Sequence, residues 1–221
     1  MMPQGRTGPN AIDLSLYLVT DRELCGGRGL VATVGAALKG GITVLQYRAK
    51  NVQLREAIAE AALLASLARQ YDVPFIVNDR LDLALAVDAD GLHVGQSDMP
   101  PDLARRFLGP SKILGLSVGR QAEIDELDIA MVNYVGLGPV FATATKADAA
   151  APLGLEKFSL LRSSIELPVV AIGGISEAAA GDVIAAGADG IAVVSAICAA
   201  ADPELASHGL RRKIDQARQT P

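Results

Sequence analysis

The segment Gln46-Tyr47-Arg48-Ala49-Lys50 sets an amide, a guanidinium and an ammonium at every second position, behind the apolar run Thr43-Val44-Leu45. In an extended chain, residues two apart share a face, so Gln46, Arg48 and Lys50 project one way and Tyr47 and Ala49 the other. Arginine offers paired N–H bonds to an oxyanion and lysine a compact charge, which suits an anionic ligand. Two further apolar runs end in polar groups: Phe75-Ile76-Val77 in Asn78-Asp79, and Gly91-Leu92-His93-Val94 in Gln96-Ser97-Asp98. Carboxylates beside a cationic cluster are what a Mg2+–diphosphate complex needs, because magnesium takes one or two of them and completes its octahedron with water and phosphate. Asp98, just before Met99-Pro100-Pro101, also fits as a cap of the next helix.

Later in the chain the chemistry is that of phosphate. Gly173-Gly174 follows one apolar run and Val194-Ser195-Ala196 closes another. Glycines let backbone N–H groups approach an anion, and a helix start turns its dipole toward it. Ahead of both, Thr143-Ala144-Thr145-Lys146 lies in a connection over 140–154 that is longer than the others. Its two hydroxyls and one ammonium could close over a second anionic group, and long loops of this kind are often lids or binding segments. His93 reads as a satisfied core histidine, and His208 as a surface residue.

One scaffold must bring these groups together. Runs rich in Val, Leu and Ile at 16–20, 43–47, 75–77, 91–94, 113–116, 133–135, 169–172 and 191–194 predict eight strands. Helical stretches at 31–39, 54–69, 81–87, 102–107, 121–127, 155–163 and 177–186 alternate with them. A last helical region spans 195–217, with a break near Asp202-Pro203. Regular alternation implies a parallel sheet, and eight units predict closure into a single (β/α)8 TIM barrel of the α/β class. In such a barrel every strand's C-terminal end opens on one face, where these polar groups would meet. Asp88-Ala89-Asp90-Gly91 and Gly187-Ala188-Asp189-Gly190 read as echoes of one unit.

Composition agrees with this frame. Half of the 221 residues are hydrophobic and none is Trp, so the core must be aliphatic, as in strands covered on both faces. A net charge of −5 argues against a nucleic-acid surface, and no run is long and apolar enough for a membrane span. Residues 1–12 read as a flexible N-terminal tail and 13–221 as the barrel catalytic domain. Cys25 and Cys198, in no CxxC pattern, are expected to be reduced in a cytoplasmic protein. The expected partners are small molecules, with homo-oligomerisation left open.

The ordered set Gln46-Tyr47-Arg48-Ala49-Lys50, Val77-Asn78-Asp79, His93-Val94-Gly95-Gln96-Ser97-Asp98, Gly136-Leu137-Gly138-Pro139, Thr143-Ala144-Thr145-Lys146, Ile172-Gly173-Gly174-Ile175 and Val194-Ser195-Ala196-Ile197 resembles the thiamine phosphate synthase family over nearly the whole chain. The resemblance implies a Mg2+-dependent transferase that joins 4-amino-2-methyl-5-hydroxymethylpyrimidine diphosphate to a thiazole phosphate. It implies that Gln46 through Lys50, Asn78, Ser117 and Lys146 hold the pyrimidine diphosphate, with Arg48, Lys50, Ser117 and Lys146 acting in catalysis. Asp79 and Asp98 would bind the metal, and Thr143 through Thr145, Gly174, Val194 and Ser195 the thiazole phosphate. Two departures stand out: Ala142 occupies an expected proline position, and Val118-Gly119 replaces a polar pair after Ser117.

Two other readings share the barrel. The related thiazole tautomerase is expected to lack the acid after strand four and to carry a histidine where this chain has Gly119; Asp98 and Gly119 both favour the synthase. A non-catalytic sensor of thiamine intermediates would be expected to lose metal and diphosphate residues, and Arg48, Asp79, Asp98 and Lys146 are intact.

Overall fold

The computed structural model describes residues 12–145 and 150–219. Eight parallel strands pair in chain order and close into a barrel: β1 (Leu16–Val19), β2 (Val44–Tyr47), β3 (Phe75–Asn78), β4 (Gly91–Val94), β5 (Ile113–Val118), β6 (Tyr134–Leu137), β7 (Val169–Ile172) and β8 (Gly190–Val193). Around them run α1 (Leu30–Lys39), α2 (Leu54–Arg69), α3 (Leu81–Ala86), α4 (Pro101–Leu108), α5 (Gln121–Asp125), α6 (Gly154–Arg162), α7 (Glu177–Ala185), α8 (Ser195–Cys198) and α9 (Pro203–Gln219). The TIM barrel expected from the alternation is therefore the fold. The predicted last helix is two helices, and Asp202 starts the second by accepting the Leu205 N–H at 3.0 Å. No helix among the described residues is long and apolar enough to cross a membrane. The expected tail lies outside the described residues except for Ile12, which packs beneath the barrel interior.

Strand alternation sorts the apolar residues into two cores. One lies between sheet and helices and includes Leu16, Leu18, Leu45, Val77, Leu92, Leu114 and Val135. The other fills the barrel axis with Tyr17, Val44, Ile76, Tyr134, Val170 and Ala192, which the register sets side by side through Tyr17↔Val44 and Tyr17↔Ala192. Two tyrosines and His93 fit inside because small residues face them. A Cβ at Gly115 would stand 2.3 Å from the Tyr134 ring and 2.4 Å from His93 Nδ1. Gly115→Ala is therefore expected to cost about 1–3 kcal/mol through overpacking, read as a lowered denaturation midpoint.

The echoed sequence has a structural cause at the barrel floor. Asp90 Oδ2 accepts the Phe75 N–H and Asp189 Oδ2 the Val169 N–H, each at 2.8 Å. Thr43 Oγ1 does the same for Leu16 at 3.0 Å and Asn133 Oδ1 for Leu114 at 2.8 Å. Each clamp residue also returns its own backbone N–H to the carbonyl of its partner. The device thus recurs on β1, β3, β5 and β7, satisfying backbone donors where the ladder begins. It explains why β6 starts at Tyr134 and not at Asn133.

Candidate functional site

At the C-terminal ends of the strands lies a cavity of about 1360 Å³. Gln46, Arg48, Ala49, Lys50, Asn78, Asp79, Asp98 and Ser117 line it, with Thr143, Thr145, Gly174, Val194 and Ser195. Strands remote in sequence deliver them because closure points all their ends the same way. Ala49 faces the cavity although alternation predicts otherwise: β2 ends at Tyr47, and strand periodicity does not govern the residues beyond it. Tyr47 turns outward, where its hydroxyl donates to Glu60 Oε2 at 2.6 Å. Tyr47, expected to bind substrate, does not line the cavity. Ala144 is exposed and does not line the cavity, and Lys146 lies outside the described residues.

Arg48 is held before any ligand arrives. Its backbone N–H donates to Thr20 Oγ1 at 3.0 Å and its Nη1 to Asp21 Oδ2 at 3.3 Å, with both ionic side chains largely buried. Asp21, at the end of β1, is a positioning group that sequence spacing did not reveal. Lys50 stands more openly at the mouth.

Asp79 has φ of +61°, a left-handed conformation that swings its carboxylate off the strand line, and its N–H donates to His93 O at 2.8 Å. Asp98 Oδ2 accepts the Gly95 N–H at 2.7 Å, so Asp98 folds its own loop and does not cap α4. The two carboxylates interact directly. Desolvation first, then the Asp98 charge, push Asp79 up to about 6, while Asn78 and Arg48 pull the other way. A bound cation would relieve the repulsion between two such like charges. Among the described residues no cluster of three or more His, Cys, Asp or Glu could hold a metal. Two carboxylates with open positions fit magnesium, which keeps several waters and takes ligand phosphate oxygens.

The long loop is pinned at its base. Val140 and Phe141 donate backbone N–H bonds to Ile172 O and Gly173 O at 2.8 and 2.9 Å, and Leu153 N–H returns to Pro139 O at 2.8 Å. Thr143 Oγ1 accepts the Thr145 N–H at 3.3 Å, a short turn that keeps both hydroxyls at the cavity. Gly174, with φ of +64°, does more than turn the chain: an added Cβ would meet Ala142 O at 2.4 Å. Its missing side chain is what lets this loop pack against β7.

A largely buried polar chain forms part of the cavity floor. Gln46 Nε2 donates to Tyr17 Oη at 2.8 Å, Tyr17 Oη meets Tyr134 Oη at 2.7 Å, Tyr134 Oη meets His93 Nδ1 at 2.9 Å, and His93 Nε2 meets Ser117 Oγ at 2.8 Å. His93 is a buried and satisfied histidine, as expected, and it also lines the cavity beside Ser117. The sequence signal was present in the inward phase of Tyr17, His93 and Tyr134, but pairing across five strands is set by closure alone. His208 is exposed, and Cys25 and Cys198 are free and buried.

A family model described as thiamine monophosphate synthase matches residues 16–197. The thiamine-phosphate synthase of Xanthobacter autotrophicus is 50% identical over 95% of this chain and 100% of its own length. That of Chloroflexus aurantiacus is 52% identical over 92% of this chain and 94% of its own. Among solved structures, thiamine phosphate pyrophosphorylase from Pyrococcus furiosus superposes with a TM-score of 0.85 at 41% identity, covering 93% of this chain and 98% of that one. A 3-hexulose-6-phosphate synthase, with a TM-score of 0.63 at 16% identity over 90% of this chain and 99% of that one, shares the fold alone.

Proposed function

The chain belongs to the thiamine monophosphate synthase family and is a thiamine-phosphate synthase, a transferase; we propose that it joins 4-amino-2-methyl-5-hydroxymethylpyrimidine diphosphate to a 4-methyl-5-(2-hydroxyethyl)thiazole phosphate, or its carboxylated form, giving thiamine monophosphate and pyrophosphate. One observation carries the assignment of substrates: cationic, acidic and glycine-backbone groups from seven strands line one cavity of about 1360 Å³. That exceeds the ~300–1000 Å³ of a site for one drug-sized ligand and leaves space for two reactants side by side.

In this reading the C–O bond between the pyrimidine methylene and the diphosphate breaks first, its electron pair leaving with the diphosphate. The thiazole nitrogen then donates its lone pair to the methylene cation. No protein nucleophile is required. Arg48, Lys50 and Lys146 bind the diphosphate and offset the charge it gains, which is electrostatic stabilisation of a leaving group. Asp79 and Asp98 would hold Mg2+, which supplies further charge neutralisation on phosphate oxygens when bound. Gln46 and Asn78 orient the pyrimidine, and Ser117 faces the reacting groups. Gly174, Val194 and Ser195 offer backbone donors to the thiazole phosphate, and Thr143 and Thr145 close beside it while the loop limits water. Lys146→Ala is expected to lower kcat by about 10²-fold, the effect of removing one charge-stabilising donor; an unchanged kcat would make that lysine a bystander.

The tautomerase reading needs a histidine at position 119. A Cβ added there would stand 2.8 Å from Gly138 O, so the backbone here is built for glycine. A cytoplasmic location belongs to the same proposal, supported by two buried free thiols. The test is a product assay with purified protein, both substrates and Mg2+, with and without EDTA. Metal-dependent thiamine monophosphate is expected. Folded, ligand-binding protein without product would move the assignment to a tautomerase or a sensor.

A further inference from the structure

The buried chain Gln46–Tyr17–Tyr134–His93–Ser117 has a direction, and the direction matters at both ends. Tyr17, Tyr134 and His93 are at most 8% exposed and Gln46 is 4% exposed, so water does not decide how the hydroxyls turn. Each phenol has one proton to give and sits between two partners. Both ring nitrogens of His93 face hydroxyls, Nδ1 that of Tyr134 at 2.9 Å and Nε2 that of Ser117 at 2.8 Å, and a neutral imidazole donates from one nitrogen and accepts at the other.

The count of protons settles the geometry. With Gln46 Nε2 donating to Tyr17 Oη, Tyr17 must give its proton to Tyr134, and Tyr134 must give its own to His93 Nδ1. The histidine proton then lies on Nε2 and points at Ser117 Oγ. Ser117 is left with its O–H free to turn into the cavity, as a donor. If the Gln46 amide presented Oε1 to Tyr17 instead, every bond would reverse. The His93 proton would move to Nδ1, and the Ser117 hydroxyl would be spent on Nε2, showing the cavity only lone pairs. Intermediate arrangements leave two donors or two acceptors face to face in a buried site, which costs about 1–3 kcal/mol.

We propose that this chain is a directional relay in which the amide of Gln46, at the end of β2, sets whether Ser117, at the end of β5, donates or accepts, with Tyr17, Tyr134 and His93 as positioning residues. Its use rests on the proposed synthase function of the cavity. A ligand amino group donating to Gln46 Oε1 keeps Nε2 turned inward, and so presents the Ser117 proton to an anionic oxygen in the same cavity. Recognition of an aminopyrimidine and stabilisation of a departing oxyanion are then one event. A ligand carrying an acceptor at that edge would select the reverse state and lose the donor.

The decisive probe needs no turnover. In 15N-labelled wild-type protein, His93 is expected as the Nε2–H tautomer, its signals told from those of exposed His208 by comparison with His208→Gln. Gln46→Glu places an acceptor-only carboxylate against Tyr17 and is expected to convert His93, three hydrogen bonds away, to the Nδ1–H tautomer. An unchanged tautomer overturns the relay. Kinetics give a second reading if Gln46→Glu does not fold. Tyr17→Phe and Tyr134→Phe keep the ring packing and should each lower kcat by about tenfold or more, with the KM for the thiazole phosphate unchanged. Because both cut one chain, the double variant should be no slower than the slower single. Additive losses in kcat would show two independent packing defects and defeat the proposal. If wild-type protein makes no thiamine monophosphate, the substrate assignment falls while the tautomer measurement still decides the relay.

Discussion

Asp79→Ala will abolish metal-dependent product formation and leave the barrel folded. The carboxylate stands at the rim of the cavity, contributes nothing to either apolar core, and faces Asp98 with like charge. Losing charge neutralisation at a departing diphosphate amounts to several kcal/mol, or a fall of about 10²–10³ in kcat at each metal concentration. The fold should not suffer. Asp79 is pushed up to about 6 in the folded protein, so its ionised form is less favourable there than in the unfolded chain. By the sign of that linkage, the pair opposes folding above the folded pKa and the opposition fades as pH falls through about 6 toward the ordinary carboxylate value. Because alanine tolerates the left-handed backbone at position 79 less well than aspartate or asparagine, the stability half is read in Asp79→Asn, which in EDTA should unfold at the same temperature as the parent, or higher, at pH 7–8. Calorimetric unfolding in EDTA beside a product assay checks both halves, and retained activity would remove the metal assignment.

The same raised value predicts how metal use depends on pH. A proton and Mg2+ compete for Asp79, so apparent metal affinity should weaken tenfold per pH unit once the pH drops below about 6. At limiting Mg2+ the acid limb of the activity profile should lie near that value. Raising Mg2+ should move the limb to lower pH. A limb that stays fixed would mean that Asp79 does not compete for the ion.

Arg48→Ala carries the second large effect, a fall of about 10²–10³ in kcat/KM for the pyrimidine diphosphate. Its guanidinium is pre-set by Asp21 at 3.3 Å in a largely buried position, so the binding geometry exists before the ligand arrives. Arg48→Lys should recover only part of the loss, because an ammonium cannot present two parallel donors to a phosphate. Asp21→Asn should act more weakly and chiefly on KM, since it releases the guanidinium without removing it. Full activity in Arg48→Lys would show that charge alone suffices there.

The amino-acid sequence by itself determined the fold and most of the residues that line the cavity. Period-two apolar runs alternating with helical ones admit few topologies, and eight such units close on themselves. Strand-end residues such as Arg48, Asp79 and Gly174 could then be placed on one face without coordinates, because closure makes all C-terminal ends neighbours. What the sequence could not carry was anything set across the barrel or beyond a strand's end. Ala49 turned inward where alternation stopped applying, and Tyr47 turned to Glu60 on α2. Asp98 chose the Gly95 amide over the helix it precedes. Arg48 found Asp21, 27 residues away, and Tyr17 found Tyr134, 117 residues away. Side-chain periodicity is a local property of one chain segment. The partner a polar side chain meets depends on register, on the space left by Gly115, and on burial that removes water as an alternative. Those are properties of the closed barrel alone.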